Sequence, residues 1–163
     1  MTIGGGLALS TIRAGYQRVA GADFQFHIKQ HYFQTGVLLS GIDFFQNTHM
    51  QAHACYGLRR EGNTYNLALF AGPSFYQGVE GQVGTPPRFY GGPGVYLSAQ
   101  AVHKMTYDIG AGFELFADIG RQMGNVGRNQ VLYGAKVILF FSGSYRGPKR
   151  NFNPNVRSEN PDG

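Results

Sequence analysis

The sequence predicts an all-β protein, an eight-stranded antiparallel up-and-down transmembrane β-barrel with a flexible C-terminal tail. The first observation is the stretch Thr106–Gly120, TYDIGAGFELFADIG. Tyr107, Ile109, Ala111, Phe113, Leu115, Ala117 and Ile119 alternate with Asp108, Gly110, Gly112, Glu114, Phe116, Asp118 and Gly120. A period of two puts the two sets on opposite faces of a strand, whereas a helix would mix them. The second observation is length: a tilted strand needs about 9–11 residues to cross a bilayer, and this one is longer. The third is that the links between such segments alternate between tight and long, the pattern of short periplasmic turns and longer external loops.

The elements follow in order. Thr2–Arg18 is the least regular, because Leu7 and Leu9 have the opposite parity to Ile12, Ala14 and Tyr16; a bulge near Ser10 would reconcile them. A short link at Ala20-Gly21 leads to Ala22–Ile28, with Phe24, Phe26 and Ile28 on one face. Lys29-Gln30-His31 turns into Tyr32–Ser40, and Gly41–Thr48 reads as a loop. His49–Arg59 alternates cleanly, Arg60-Glu61-Gly62-Asn63 is a hairpin signal, and Tyr65–Gly72 returns. Pro73–Pro93 contains Thr-Pro-Pro and Gly-Gly-Pro-Gly and is expected to be the longest loop, since proline cannot serve a central strand. Gly94–Val102, the turn His103-Lys104-Met105 and Thr106–Gly120 follow. Arg121–Asn129 is a Gly-rich loop, and Gln130–Ser142 is the eighth strand. The expected division is a barrel over 1–143 and a basic periplasmic tail over 144–163, both termini lying on the periplasmic side.

Composition narrows the class. The 163 residues include 14% charged and 42% hydrophobic residues, 25 glycines, and an aromatic fraction of 14% that is all Phe and Tyr. No apolar run reaches the eighteen or so residues of a membrane helix. Cys55 is the one cysteine, so an internal disulfide is excluded. The net charge of +5 is concentrated near the C-terminus, and acids and bases alternate with apolar residues along the strands, which disfavours nucleic acid as a partner. The opening MTIGGGLALS has neither the basic start nor the long apolar core of a secretory signal, so a mature or truncated chain is expected.

Periodicity does not say which face points inward, and a soluble lipocalin-like barrel has the reverse polarity. The apolar faces are uninterrupted by charge, as a lipid-facing band requires, and the opposite faces mix Asp23, Arg59, Asp108, Glu114, Asp118 and Lys136 with many glycines. That mixture suits a cramped polar lumen, so the membrane polarity is expected. The stretches GVYLSAQAVHKMTYDIGAGFELFADIG, YNLALFAGPSFYQG and YGAKVILFFSG resemble the small outer-membrane β-barrel proteins of Bacteroidota, across most of Gly6–Gly143. The resemblance implies an outer-membrane location and eight strands, and it names no activity.

The acids invite a search for catalysis. Asp108 and Glu114 lie six residues apart on one strand, roughly 20 Å at ~3.3 Å per residue, too far for the carboxylate pair of a glycosidase. Lumenal pairing of Glu114 and Asp118 with Arg59, Arg13 or Lys136 is the plainer expectation. His27, His53 and His103 fall on different strands or turns, His31 and His49 sit near strand ends, and no pair has metal-ligand spacing on one local element, so neither a metal nor a cofactor is expected. Ser40, Ser98 and His53 hold the residue types of an outer-membrane hydrolase but no motif. The functional expectation is a non-enzymatic structural or accessory subunit of a cell-envelope complex, because eight strands leave a lumen that side chains fill. A lipid- or glycan-modifying enzyme and a soluble ligand-binding barrel are the alternatives. Expected partners are outer-membrane lipid and other envelope proteins. The contacts would come from Arg88, Phe89 and Tyr90 in the long loop, and from Arg150 and Phe152 in the tail.

Overall fold

The computed structural model describes residues 1–11, 15–28, 30–41, 48–62, 64–80, 86, 88–106, 109–123 and 129–141. Eight strands follow one another: β1 (Thr2–Ser10), β2 (Tyr16–Ile28), β3 (His31–Ser40), β4 (His49–Glu61), β5 (Tyr65–Glu80), β6 (Arg88–Lys104), β7 (Ile109–Arg121) and β8 (Asn129–Phe141). Each pairs antiparallel with its sequence neighbours, and β1 also pairs with β8, giving a closed barrel. Closure removes the free edges that an open sheet would expose. The expected tail lies outside the described residues.

Two expectations are corrected. The first link is not at Ala20-Gly21 but over residues 11–15, and β2 runs through Ala20 and Gly21 without a break. The parity conflict therefore has no bulge behind it. Leu9 pairs with Tyr16, so a residue of odd number on β1 faces the same way as one of even number on β2. The change of phase is the hairpin itself, and Gly15 (φ 93°) supplies the left-handed position in that link.

The second correction concerns Pro73–Pro93. Most of this stretch is strand: β5 reaches Glu80 and β6 begins at Arg88, paired throughout from Phe75↔Pro93 to Glu80↔Arg88. Proline is tolerated for two local reasons. Beside Pro73 the β4–β5 ladder lapses at Ala54 and Cys55, then resumes in unchanged register, with His53↔Ser74 on one side and Tyr56↔Ala71 on the other. Pro93 lies above the β6–β7 ladder, whose outermost pair is Gly94↔Gly120. Beyond that pair one bond to the β7 side remains, from Met123 N–H to the Gly91 carbonyl at 2.9 Å, so Pro93 lies in a gap of the pairing, where a missing N–H is cheap. The result is a hairpin of 16- and 17-residue strands that is longer than the others.

Polarity is inverted relative to a soluble protein. Outward positions carry Phe24, Leu58, Leu69, Phe113 and Leu115, the last two 65% and 61% exposed. Inward positions bury Asp23, His53, Glu114, Asp118 and Lys136. Inside, Leu38, Phe70, Tyr96, Phe116 and Leu132 pack into an apolar cluster between the polar side chains. The inward face is therefore a packed mixture of polar and apolar groups.

Candidate functional site

At the centre of the lumen is a five-residue network drawn from five strands. Glu114 on β7 and Lys136 on β8 are direct cross-strand partners, and Nζ of Lys136 lies 3.2 Å from Oε2 of Glu114. Tyr96 on β6 donates its hydroxyl to Oε1 of Glu114 at 2.8 Å. Lys136 also reaches Oδ2 of Asp23 on β2 at 3.7 Å, and Asp23 Oδ1 is 3.0 Å from Nε2 of His53 on β4. Thr2 donates to Asp23 at 3.3 Å. The His53 ring stacks on Tyr96, centroids 4.1 Å apart, which closes the circuit across the barrel. Glu114 and Lys136 are 0% and 1% exposed. Charges so far from water persist only when paired and hydrogen-bonded, and each member here has at least one such partner.

Local sequence makes room for this. A side chain on Gly36 of β3 would run into the Asp23 carboxylate and the Ala22 carbonyl. The Lys136 ammonium also lies 5.4 Å from the centroid of Phe116, an inward aromatic on the acidic face of β7.

The other sequence-derived lumen residues fall elsewhere. Asp118 points inward but is held by Ser74, which donates at 2.5 Å, and no described cation pairs with it. Arg59 points inward near the tight-turn end, its Nε 3.1 Å from Glu61, between the rings of Phe140 (5.1 Å) and Tyr32 (5.8 Å). The expected pairing of Arg59 with Glu114 or Asp118 is therefore replaced by pairing with Glu61. Asp108 and Arg13 lie outside the described residues. Tyr96 is a member that the sequence did not single out, while Asp23 was expected on the lumen face and His53 as a hydrolase candidate, neither in this network; all three have inward parity, but only the register between strands brings them together.

A second cluster occupies the end of the lumen that carries the long links. His49 stacks on Tyr76 (5.5 Å) and on Tyr90 (6.1 Å), and its Nδ1 lies 3.3 Å from Nε2 of Gln130 across the barrel. Gly120 is where Tyr76 passes, because a Cβ there would strike its ring. Tyr90 was expected to face a partner beside Arg88 and Phe89; instead it turns toward His49 and Tyr76, while Phe89 is 78% exposed. Arg150 and Phe152 lie outside the described residues, as does the side chain of Arg88.

The hydrolase arrangement does not form. Ser98 donates to Gln34 at 3.4 Å, and His53 is engaged by Asp23 and Gln51. Among the described residues no group of three or more His, Cys, Asp or Glu side chains converges as a metal site. An interior void beside Arg59 and Gln100 measures only about 10 Å³.

The barrel resembles Neisserial surface protein A. The crystal structure of Neisserial surface protein A (NspA) matches with a TM-score of 0.67, covering 86% of this chain and 94% of that one at 9% sequence identity. No family model matches the sequence, and no curated protein does. At that identity NspA speaks for the fold, and the chemistry of the lumen belongs to this chain's own residues.

Proposed function

We propose that this chain is an integral barrel of the bacterial outer membrane, with the tight turns and chain ends on the periplasmic side. Its role is that of a structural or accessory subunit of an envelope complex, neither an enzyme nor a general pore. The observation that carries the membrane reading is the inverted polarity: Leu115 and Phe113 face out while their strand neighbour Glu114 is sealed inside. A soluble ligand-binding barrel needs the reverse. The fold likeness to NspA supports the same reading.

The accessory role draws on three features. The lumen is filled by the Asp23–His53–Lys136–Glu114–Tyr96 network, which argues against passive diffusion. Its histidine is occupied by Asp23 and Gln51, which argues against catalysis there. At the long-link end an outward groove of about 640 Å³ is lined by Leu39, Met50, Phe75 and Phe89, residue types suited to an interface. The hairpin pattern of the sequence supports placing the chain with the Bacteroidota barrels.

The test is purification in mild detergent, with gel mobility read before and after boiling and with co-purifying chains identified. A heat-modifiable band and an envelope protein retained with it are expected. A monodisperse protein that needs no detergent overturns the membrane reading, and a solitary barrel overturns the accessory role.

A further inference from the structure

Two apolar grooves, of about 610 and 690 Å³, lie on the outer wall across β4–β8. Both are lined by Leu58, Leu69, Ala99 and Leu115, so they form one furrow. Its floor is made of short side chains, with Ala71 and Ala117 toward the long-link end and Ala101 and Ala135 toward the tight turns. Leucines form its walls. Small residues alone would mark only a depression in a lipid-facing surface.

What distinguishes this furrow is its end. Arg60, the penultimate residue of β4, lines the tight-turn end, is exposed and has the outward parity of Leu58. Its neighbouring carboxylate, Glu61, is taken by Arg59 at 3.1 Å. No ion pair to Arg60 forms among the described residues. Leu67 is the register partner of Arg60 on β5, and two residues beyond it Tyr65 pairs with His103 on β6. A guanidinium, a phenol and an imidazole thus share one rim below an alkyl-lined channel.

We infer that this furrow is a binding site for an anionic phospholipid, its acyl chain along Leu58, Leu69 and Leu115 and its phosphate at Arg60, with Tyr65 and His103 beside it. The inference rests on the membrane reading above and adds a ligand class and a location. Charge complementarity selects the occupant. A guanidinium is suited to phosphate, and basic residues at a membrane surface attract anionic headgroups. A second copy of the chain would instead place two Arg60 side chains near one another across a two-fold interface.

The test uses the full chain in nanodiscs that hold equal amounts of phosphatidylglycerol and phosphatidylcholine with identical acyl chains. Lipid retained after transfer to detergent is counted by native mass spectrometry. The wild-type protein is expected to keep phosphatidylglycerol in preference. Arg60→Gln should bring the two lipids to parity, Ala99→Phe should reduce retention of both by filling the floor, and Arg121→Gln at the opposite rim should change nothing. Equal retention by the wild type, an unchanged preference in Arg60→Gln, or a retained second copy in place of lipid would overturn the inference. If Ala99→Phe does not insert, Arg60→Gln alone decides. A barrel that inserts and shows heat-modifiable mobility without lipid preference defeats only this inference; a chain that stays soluble defeats the membrane reading itself.

Discussion

The two polar clusters of the lumen are built on different terms. At the centre, Lys136, Glu114, Asp23 and His53 are ionisable, and each lies within about 4 Å of a complementary group. At the long-link end, His49, Gln51, Tyr76, Gln130, Gln17 and Ser40 are buried as deeply, yet each leaves one side-chain polar atom without a protein partner. An unpartnered neutral atom costs about 1–3 kcal/mol, whereas an isolated buried charge costs several. The central charges lie where register brings a counter-charge, whereas incomplete satisfaction at the long-link end falls to amides, a hydroxyl, a phenol and the His49 imidazole; Asp118, held by Ser74 with no described cation beside it, is the exception.

The largest expected effect breaks the central cluster. Lys136→Met leaves Glu114 and Asp23 facing each other without their cation and should destabilise the barrel by about 3–5 kcal/mol. The measurement is the urea midpoint of the folded band on unboiled gels. Adding Glu114→Gln to Lys136→Met should recover part of the loss, because the two sites are coupled. Strictly additive losses would mean that Lys136 and Glu114 do not act as a pair.

Next comes the opposite face at the same strand position. Leu115→Arg puts a charge on the outer wall with no designed partner, at an expected cost of about 2–4 kcal/mol near the midplane. An unchanged midpoint in lipid would contradict the outward, lipid-facing assignment of Leu115. A smaller change should follow from Gln130→Leu, which removes the contact with His49 from a cluster that already tolerates incomplete pairing. One neutral hydrogen bond is worth about 0.5–1.5 kcal/mol. A loss as large as that of Lys136→Met would erase the distinction between the two clusters. The smallest effect on stability is expected from Phe89→Ala, within about 0.5 kcal/mol for an exposed side chain. Its readout is co-purification, where loss of an envelope partner with an unmoved midpoint separates binding from folding.

Much of this molecule is legible in the sequence where a side chain's parity is enough. The alternation through Ile109–Gly120 and Gln130–Phe141 assigns Glu114, Asp118 and Lys136 to one face and Leu115 and Val137 to the other. Proline and glycine mislead where their usual meaning depends on neighbours. Pro73 and Pro93 read as loop because a central strand rejects them; one lapse in the β4 ladder and one gap at the outer end of the β6–β7 pairing make them acceptable. The first hairpin is obscured because Thr2–Arg18 contains its turn, and a change of phase looks like a bulge until the partner strand is known.

The sequence by itself determined the fold class, the number of strands and the two faces wherever alternation is unbroken, because a period of two is a local property that needs no partner. It also set which residues had to be sealed from lipid if the apolar face pointed outward. Only the tertiary structure decided which of them meet. Asp23 and His53 are thirty residues apart on strands that are not neighbours, and Lys136 joins Asp23 only because β8 closes onto β1. Pairing across a closed barrel depends on the register of every hairpin in turn, and register is set by side-chain packing and turn geometry along the whole circuit.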